Sequence, residues 1–326
     1  MAINLLNIEP HKVSKDLSGY ITYIYGAPKT GKTTLATQMP GALLLAFEAG
    51  YNALPGVMAQ DVTTWGEMKQ VYRELKKPEV KKTYKAVVVD TIDIAAEKCQ
   101  KYICQQNGID SLGDLGYGKG WTAYKQEFNE VFRGLAQLGY AVFFIGHDKE
   151  VTIGEGSDAK TIIRPALANS TKTVIAGMAD IYGYAHQTKT NAMSVLTLRS
   201  SDGSIECGGR FKYIPAEIEM SYDNLAQAVH DAIDKEAAEH GGKFVTDERQ
   251  TITEAPTFNF NALMNEFNDI INQLMTKDTD YYAPLVRNIV DKYLGKGKKV
   301  GEATPDQAEF ISLIVNEIKE DLMNNN

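Results

Sequence analysis

The chain has 326 residues, a formal net charge of −8 and 44% hydrophobic residues, which predict one large folded core and a smaller second part. The acidic balance argues against a surface that is basic overall, so any contact with nucleic acid has to be local. No run of about 18 apolar residues is present, which argues against a membrane span. The N-terminus lacks the features of a signal peptide, and the three scattered cysteines match neither a metal site nor a disulfide framework, so we expect reduced thiols in a cytosol.

The first strong motif covers residues 26–33, which read GAPKTGKT and match the pattern G-x-x-x-x-G-K-[ST]. An apolar, aromatic run before it predicts a strand, and a helix can begin behind it. This context is typical of a phosphate-binding P-loop, whose backbone N–H groups surround a phosphate. Lys32 would reach the β- and γ-phosphates, and the Thr33 hydroxyl would bind Mg²⁺. The predicted nucleotide-binding residues are Gly26, Ala27, Pro28, Lys29, Thr30, Gly31, Lys32, Thr33 and Thr34.

Three further apolar runs end in or just before polar residues. The first ends at Glu48, and the second reads YKAVVVD over residues 84–90. Its last residue, Asp90, has the place of a Walker B aspartate that holds Mg²⁺, although it could also cap the next helix. The third run ends just before His147. Because the carboxyl ends of parallel strands meet at one edge of a sheet, we expect the P-loop and these three residues to converge on a nucleotide.

The spacing of apolar residues, together with the residues that end helices and strands, predicts the remaining elements. Apolar residues at helical spacing begin at Trp65 and stop at Pro78, and those from Trp121 to Leu138 are assigned to the core. A polar, glycine-rich stretch and a mobile hairpin or loop lie on either side of the fourth strand. Further predicted elements are helices at 91–106, 168–178 and 223–239, and paired strands at 181–187 and 193–199 joined by a turn at 188–191.

The composition predicts two folded parts. Residues 1–239 are assigned to an ATPase core that begins with a mixed arm, residues 240–257 to a linker, and residues 258–326 to a small all-α module. The module contains a basic turn at 295–299, which is either a solvated loop or a phosphate contact.

Two features narrow the class of P-loop protein. Asp90 is followed by Thr91, so the acid pair of many ATPases is absent, and Glu48 is placed to orient or deprotonate the attacking water. No Asn-Lys-x-Asp motif for guanine is present, which favours ATP.

These motifs resemble those of the RecA-like recombinase ATPases. The stretches YGAPKTGKTTLA, VVVDTID and FFIGHDKE look like the phage-encoded RecA-like proteins of the single-strand annealing (Sak) type, over roughly residues 18–235. The resemblance implies an α/β fold with a RecA-like P-loop core, in which a mostly parallel sheet is flanked by helices. The chain departs from the family at His147, where the bacterial recombinases have a glutamine.

The resemblance also implies DNA contacts and a homo-oligomer. Residues 107–120 and 148–166 fall where the family has its two DNA-contacting loops, with Tyr117 or Trp121 available for base stacking. The expected phosphate contacts are Lys119, Lys149, Lys160 and Arg164.

Family members place ATP at a junction between subunits, with a basic residue supplied by the neighbour. Arg210 and Lys212 are the candidates, with Arg199 behind them, and a plain turn residue is the alternative for Arg210. The expected catalytic residues are Glu48, Lys32, Asp90, His147, Arg210 and Lys212.

The sequence therefore predicts a DNA-stimulated ATPase of phage recombination that uses ATP and Mg²⁺, binds single-stranded DNA and promotes strand annealing or pairing. A single-strand-binding protein is a further expected partner, and the host cytoplasm is the expected location if the protein is phage-encoded. Two alternatives stay open: a DNA helicase or packaging-type motor, and a nucleotide-gated binding or scaffold protein with little turnover.

Overall fold

The computed structural model describes residues 10–156, 159–188, 193–249 and 258–323. The chain divides into two compact units. Residues 10–254 form the first, and residues 255–326 belong to the second. Within the described part, no helix has both the length and the apolar character that crossing a bilayer requires.

A mostly parallel sheet forms the centre of the first unit. In chain order the strands of this unit are β1 (Val13–Ser14), β2 (Ile21–Gly26), β3 (Ala42–Ala46), β4 (Ala59–Asp61), β5 (Ala86–Asp90), β6 (Ala141–Gly146), β7 (Asp148–Ile153), β8 (Lys160–Pro165), β9 (Ile181–Gln187), β10 (Ser194–Thr197), β11 (Gly208–Gly209), β12 (Glu217–Glu219) and β13 (Val245–Thr246). In spatial order the central sheet runs β12, β10, β9, β2, β6, β5, β3 and β4; neighbours from β9 to β4 are parallel, and β10, β11 and β12 are antiparallel additions.

Helices cover both faces of this sheet, which confirms the predicted α/β class. The helices are α1 (Lys32–Thr37), α2 (Trp65–Glu74), α3 (Pro78–Thr83), α4 (Ile92–Asn107), α5 (Lys119–Gln137), α6 (Asn169–Met178), α7 (Tyr222–Glu239), α8 (Phe260–Leu294) and α9 (Ala308–Ile318). Alternate residues of β5 face opposite sides: Val87 and Val89 pack in one hydrophobic core with Phe128 of α5, and Val88 packs in the other with Val229 of α7. Strands buried on both faces explain the continuous apolar runs in the sequence.

The C-terminal unit is helical, as the sequence predicts. The long helix α8 has non-helical backbone angles at Asp278, whose side chain accepts a hydrogen bond from the Tyr281 backbone N–H at 3.0 Å. This break separates the two helices that the hydrophobic periodicity indicated. Ile270, Val286 and Ile314 belong to one shared core formed by α8 and α9.

Two sequence-based interpretations of the helices need correction. Pro78 does not end α2, which stops at Glu74; it is the first residue of α3, where the missing N–H costs nothing. Trp121 is 44% exposed and lies outside the core.

Part of the predicted linker belongs to the first unit. Val245 and Thr246 pair with Val13 and Ser14 in a parallel two-stranded sheet, and Arg249 donates to the Gly139 carbonyl at 2.6 Å. Residues 250–257 of the linker, 189–191 of the predicted turn and 1–9 of the predicted arm lie outside the described residues.

Candidate active site

The P-loop lies between β2 and α1, and its glycines are required by close packing and by backbone conformation. A Cβ atom on Gly26 would lie 2.1 Å from the carbonyl oxygen of Ala185 on the neighbouring strand β9, so no other residue fits there. Gly31 is the N-cap of α1 and has a left-handed φ of 94°. The two glycines thus produce the tight strand-to-helix turn that the motif predicts.

Lys32 is held inside the curve of this loop. Its Nζ donates to the carbonyl oxygens of Gly26 and Ala27, both at 2.7 Å, and only 6% of the residue is exposed. Burial lowers the pKa of Lys32, and the negative charges of Asp90, Asp148, Glu48 and Asp93, in that order, oppose this effect. The lysine is therefore the cation of a strongly acidic site.

Asp90 lies at the end of β5 and accepts a hydrogen bond from Thr33 Oγ1 at 2.7 Å. Burial raises the pKa of its carboxyl group to about 6, although the Thr33 hydrogen bond and the Lys32 charge lower it. A buried carboxylate beside a hydroxyl fits Mg²⁺, which usually takes one or two protein oxygens and completes its shell with water and phosphate. Thr33 and Asp90 are the residues that would hold the ion.

Glu48 enters the same site from the end of β3. The Phe47 backbone N–H donates to the Asp90 carbonyl at 2.7 Å, which places the following residue beside the Walker B strand. A Cβ atom on Gly50 would lie 3.7 Å from Asp90 Oδ2 and 3.9 Å from both Glu48 Oε1 and Thr33 Oγ1. Oxygens of Asp90, Glu48 and Thr33 thus lie close together beside Gly50.

His147 follows β6, which lies between the P-loop strand β2 and the Walker B strand β5. Its Nδ1 is 2.6 Å from Asp93 Oδ2, its backbone N–H donates to Asp93 Oδ1 at 3.2 Å, and its Nε2 lies 3.8 Å from Glu48 Oε1. The hydrogen bond with Asp93 raises the pKa of His147, burial lowers it, and the charges of Asp93 and Glu48 raise it further. His147 is therefore fixed on one side by Asp93 and faces Glu48 on the other.

Asp93 is the site residue that the sequence reasoning did not identify. It lies in the first turn of α4, three residues after Asp90, and the backbone and the imidazole of His147 both contact its carboxylate. The signal was available in the run VVVDTID, because a helix that starts directly after a strand directs its first-turn side chains toward the strand ends.

The predicted DNA contacts are not grouped in this site. Lys119 and Lys160 are exposed and, among the described residues, form no ion pair. Lys149 donates to the Leu167 carbonyl at 3.2 Å. Arg164 lies 3.2 Å from Glu206.

The predicted trans-acting residues also lie elsewhere. Arg210 pairs with Asp180 at 3.2 Å, at the end of β9 opposite the P-loop, and Lys212 pairs with Glu239 at 2.7 Å. Arg199 donates to the carbonyls of Phe211 and Lys212. Arg210 is therefore remote from the P-loop of the same chain.

The pair formed by Asp93 and His147 predicts a pH effect. Because an Asp93→Asn variant loses the carboxylate that favours the imidazolium, we expect the pKa of His147 to fall. The unfolding free energy that the pair contributes is fully present at pH values below about 6.5, the pKa of an unfolded histidine. It is lost as the pH rises through the higher pKa of folded His147. The variant should lose this dependence. NMR titration of the imidazole measures the shift, with Asp110→Asn, an exposed aspartate, as control; an unchanged midpoint would refute the pairing.

Comparison with known proteins gives a family for this chain. The AAA domain family AAA_24 matches residues 18–206. Over 328 residues the chain is 30% identical to the SPbeta prophage-derived uncharacterized protein YorG of Bacillus subtilis (strain 168), covering 98% of this chain and 99% of YorG. It is also similar to the crystal structure of the KaiC-like protein PH0186 from Pyrococcus horikoshii OT3, with a TM-score of 0.33, 12% identity, and coverage of 56% of this chain and 79% of that chain. Because the family match covers more than half of the sequence, the chain belongs to the AAA_24 family of P-loop ATPases.

Proposed function

We propose that this protein hydrolyses ATP with Mg²⁺ and uses the cycle to control binding of single-stranded DNA, in strand annealing or pairing during phage-type recombination. The observation that carries the proposal is the position of His147, which belongs both to the nucleotide site and to the base of the hairpin formed by β7 and β8. The prophage origin of the relative YorG supports the recombination setting.

In the proposed mechanism the P-loop amides and Lys32 bind the β- and γ-phosphates. Bound Mg²⁺ would neutralise charge on the phosphates. Glu48 orients the attacking water and accepts its proton, because its carboxylate lies beside Gly50 together with the oxygens of Asp90 and Thr33 that would hold the metal ion. His147 Nε2, fixed by Asp93 on the other ring nitrogen, donates a hydrogen bond toward the γ-phosphate side of the site.

The link to DNA runs through the backbone of His147. Its carbonyl accepts a hydrogen bond from the Ala166 N–H at 2.8 Å, which closes the base of the hairpin, and β7 begins at the next residue. A shift of the imidazole on binding or loss of the γ-phosphate therefore moves both ends of the hairpin. Lys160, exposed in β8, is the phosphate contact that such a movement would present.

The proposed assembly is a homo-oligomer with ATP at the subunit junction. Arg210 is 64% exposed and lies away from its own P-loop, so it could reach only the nucleotide of a neighbouring copy. In that role it would stabilise charge in the transition state.

The test is a titration of labelled single-stranded oligonucleotide at several salt concentrations, with and without a non-hydrolysable ATP analogue. We expect the analogue to strengthen binding, DNA to stimulate hydrolysis, and complementary strands to anneal without unwinding of a forked duplex. Unwinding would instead favour a helicase or packaging-type motor, and nucleotide binding with almost no turnover would favour a gated scaffold. The proposal fails if no DNA is bound at low salt with the analogue.

A further inference from the structure

A groove of 630 Å³ runs between α5 and α6, outside the nucleotide site and outside the two predicted DNA loops. Lys125 and Arg133 are the cations among its lining residues, and none of the lining residues is acidic. Asn129, Ser170 and Thr173 add neutral hydrogen-bonding groups. On a chain with a net charge of −8, a groove lined in this way is a local exception.

The charges of α5 are segregated between two sides of the helix. Glu127 is directed toward α2, where its Oε1 accepts a hydrogen bond from the Trp65 indole at 2.9 Å and lies 2.8 Å from the Lys69 ammonium. In the described part of the chain, neither Lys125 nor Arg133 forms an ion pair. Glu127 is thus neutralised on one side of α5, whereas the exposed Glu130, three residues before Arg133, forms no ion pair with either groove cation among the described residues.

The spacing of the groove residues is regular. Lys125, Asn129 and Arg133 follow one another every four residues, so they lie on one face of the helix and are about 6 Å apart along its axis. The Asn129 side-chain oxygen accepts a hydrogen bond from Arg133 Nε at 2.6 Å, which orients the guanidinium along the groove. Such a row matches the repeat of an extended sugar–phosphate backbone, with one donor for each nucleotide step.

Trp121 stands at the end of this row. It is 44% exposed, whereas Trp65 is 2% exposed. The indole also lines a neighbouring cavity of 570 Å³ formed with the end of α4 and the residues after it, so it separates two concave surfaces. An exposed aromatic ring next to spaced cations provides base stacking in addition to phosphate contacts.

We propose that the groove between α5 and α6 is a binding site for single-stranded DNA, in which Lys125 and Arg133 contact backbone phosphates and Trp121 stacks on a base. The proposal rests on the proposed function, since it extends the DNA path beyond the two loops. An acidic peptide would satisfy the cations but would leave the aromatic ring without a stacking partner, so the combination favours a nucleic acid.

The first test compares two double variants of equal charge change by anisotropy with labelled oligo(dT). Lys125→Gln with Arg133→Gln removes two phosphate contacts, which should make the slope of log K against log salt less steep by about 1.4. The affinity of wild type relative to this variant should therefore be about 25-fold higher at 0.1 M salt than at 1 M salt. The control, Arg73→Gln with Lys82→Gln, neutralises two exposed cations outside the groove. Thermal unfolding checks that both variants fold. Equal effects of the two variants would overturn the proposal.

The second test uses the emission of tryptophan, because the chain has only two and Trp65 is buried. Unlabelled oligo(dT) should quench wild-type emission, and Trp121→Phe should abolish the quenching while retaining most of the affinity.

Three results count against the groove. If wild type binds DNA and the groove variant matches the control, the groove proposal alone is wrong. If polyglutamate quenches Trp121 and oligo(dT) does not, the occupant is an acidic partner instead. If wild type binds no DNA under any condition, both the proposed function and this proposal fail.

Discussion

Replacing Glu48 with glutamine is expected to lower kcat for ATP hydrolysis by about 10²–10⁴-fold, which is the usual contribution of a general base. Glutamine keeps the size of the side chain and one acceptor oxygen, but it cannot take the proton of the attacking water. The proposed phosphate contacts lie elsewhere, at Lys32 and the backbone of residues 26–33, so the dissociation constant for ATP should change little.

The measurement pairs steady-state hydrolysis with direct titration of a fluorescent ATP analogue. Glu79→Gln, an exposed residue of α3, is the matched control and should behave as wild type. If Glu48→Gln hydrolyses ATP as fast as wild type, the assignment of the base is wrong, and the water must be activated by another group.

The convergence of the site on one sheet edge could be predicted because it depends on a local rule. Each of four strands is apolar along its length and is followed by one residue or loop with a different chemistry. In the sheet these strands, β2, β6, β5 and β3, are direct neighbours. Any parallel arrangement of them would therefore bring the P-loop, His147, Asp90 and Glu48 to the same edge.

Other features could not be predicted because they depend on contacts between distant parts of the chain. The ion pair of Arg164 with Glu206 joins residues that no periodicity relates, and it gives an expected DNA contact an acidic partner in its own chain. The parallel pairing of Val13 with Val245 gave no sequence signal either, since two-residue strands have no pattern. The groove between α5 and α6 could not be predicted for a related reason. The spacing of Trp121 matches the apolar face of α5, and only the folded structure shows that its side chain is exposed.

Asp93 is an intermediate case. Its distance from Asp90 is local, but its partner His147 lies 54 residues away, and the contact exists only because β6 is inserted between β2 and β5. A sequence reading that first fixed the strand order would have placed the start of α4 beside the end of β6. The order itself could not be read from the sequence, because all four central strands have the same apolar character.

Lys32→Ala is expected to lower kcat/KM for ATP by at least 10²–10³-fold. Loss of one hydrogen-bond donor that stabilises charge in a transition state has an effect of this size. Unlike Glu48→Gln, it should also weaken binding. The ammonium is buried and faces Asp90, Asp148 and Glu48, and without it the negative triphosphate enters a site whose carboxylates have lost their nearest lysine. Loss of the cation also removes an interaction that lowers the pKa of Asp90, so that pKa should rise above about 6 and fewer Asp90 carboxylates should be ionised near neutral pH.

Ligand-induced stabilisation separates these two variants. At 100 times the dissociation constant, Mg-ATP should add about 2.7 kcal/mol to the unfolding free energy of wild type and of Glu48→Gln, but almost nothing at the same concentration to Lys32→Ala. Lys82→Ala is the matched control, because it removes an exposed lysine from the last turn of α3, outside the P-loop. If Lys32→Ala were stabilised as strongly as wild type, the triphosphate would not depend on this ammonium. The P-loop would then bind its ligand through backbone amides alone, and the charges of Asp90, Asp148 and Glu48 would have to be offset by the metal ion and His147.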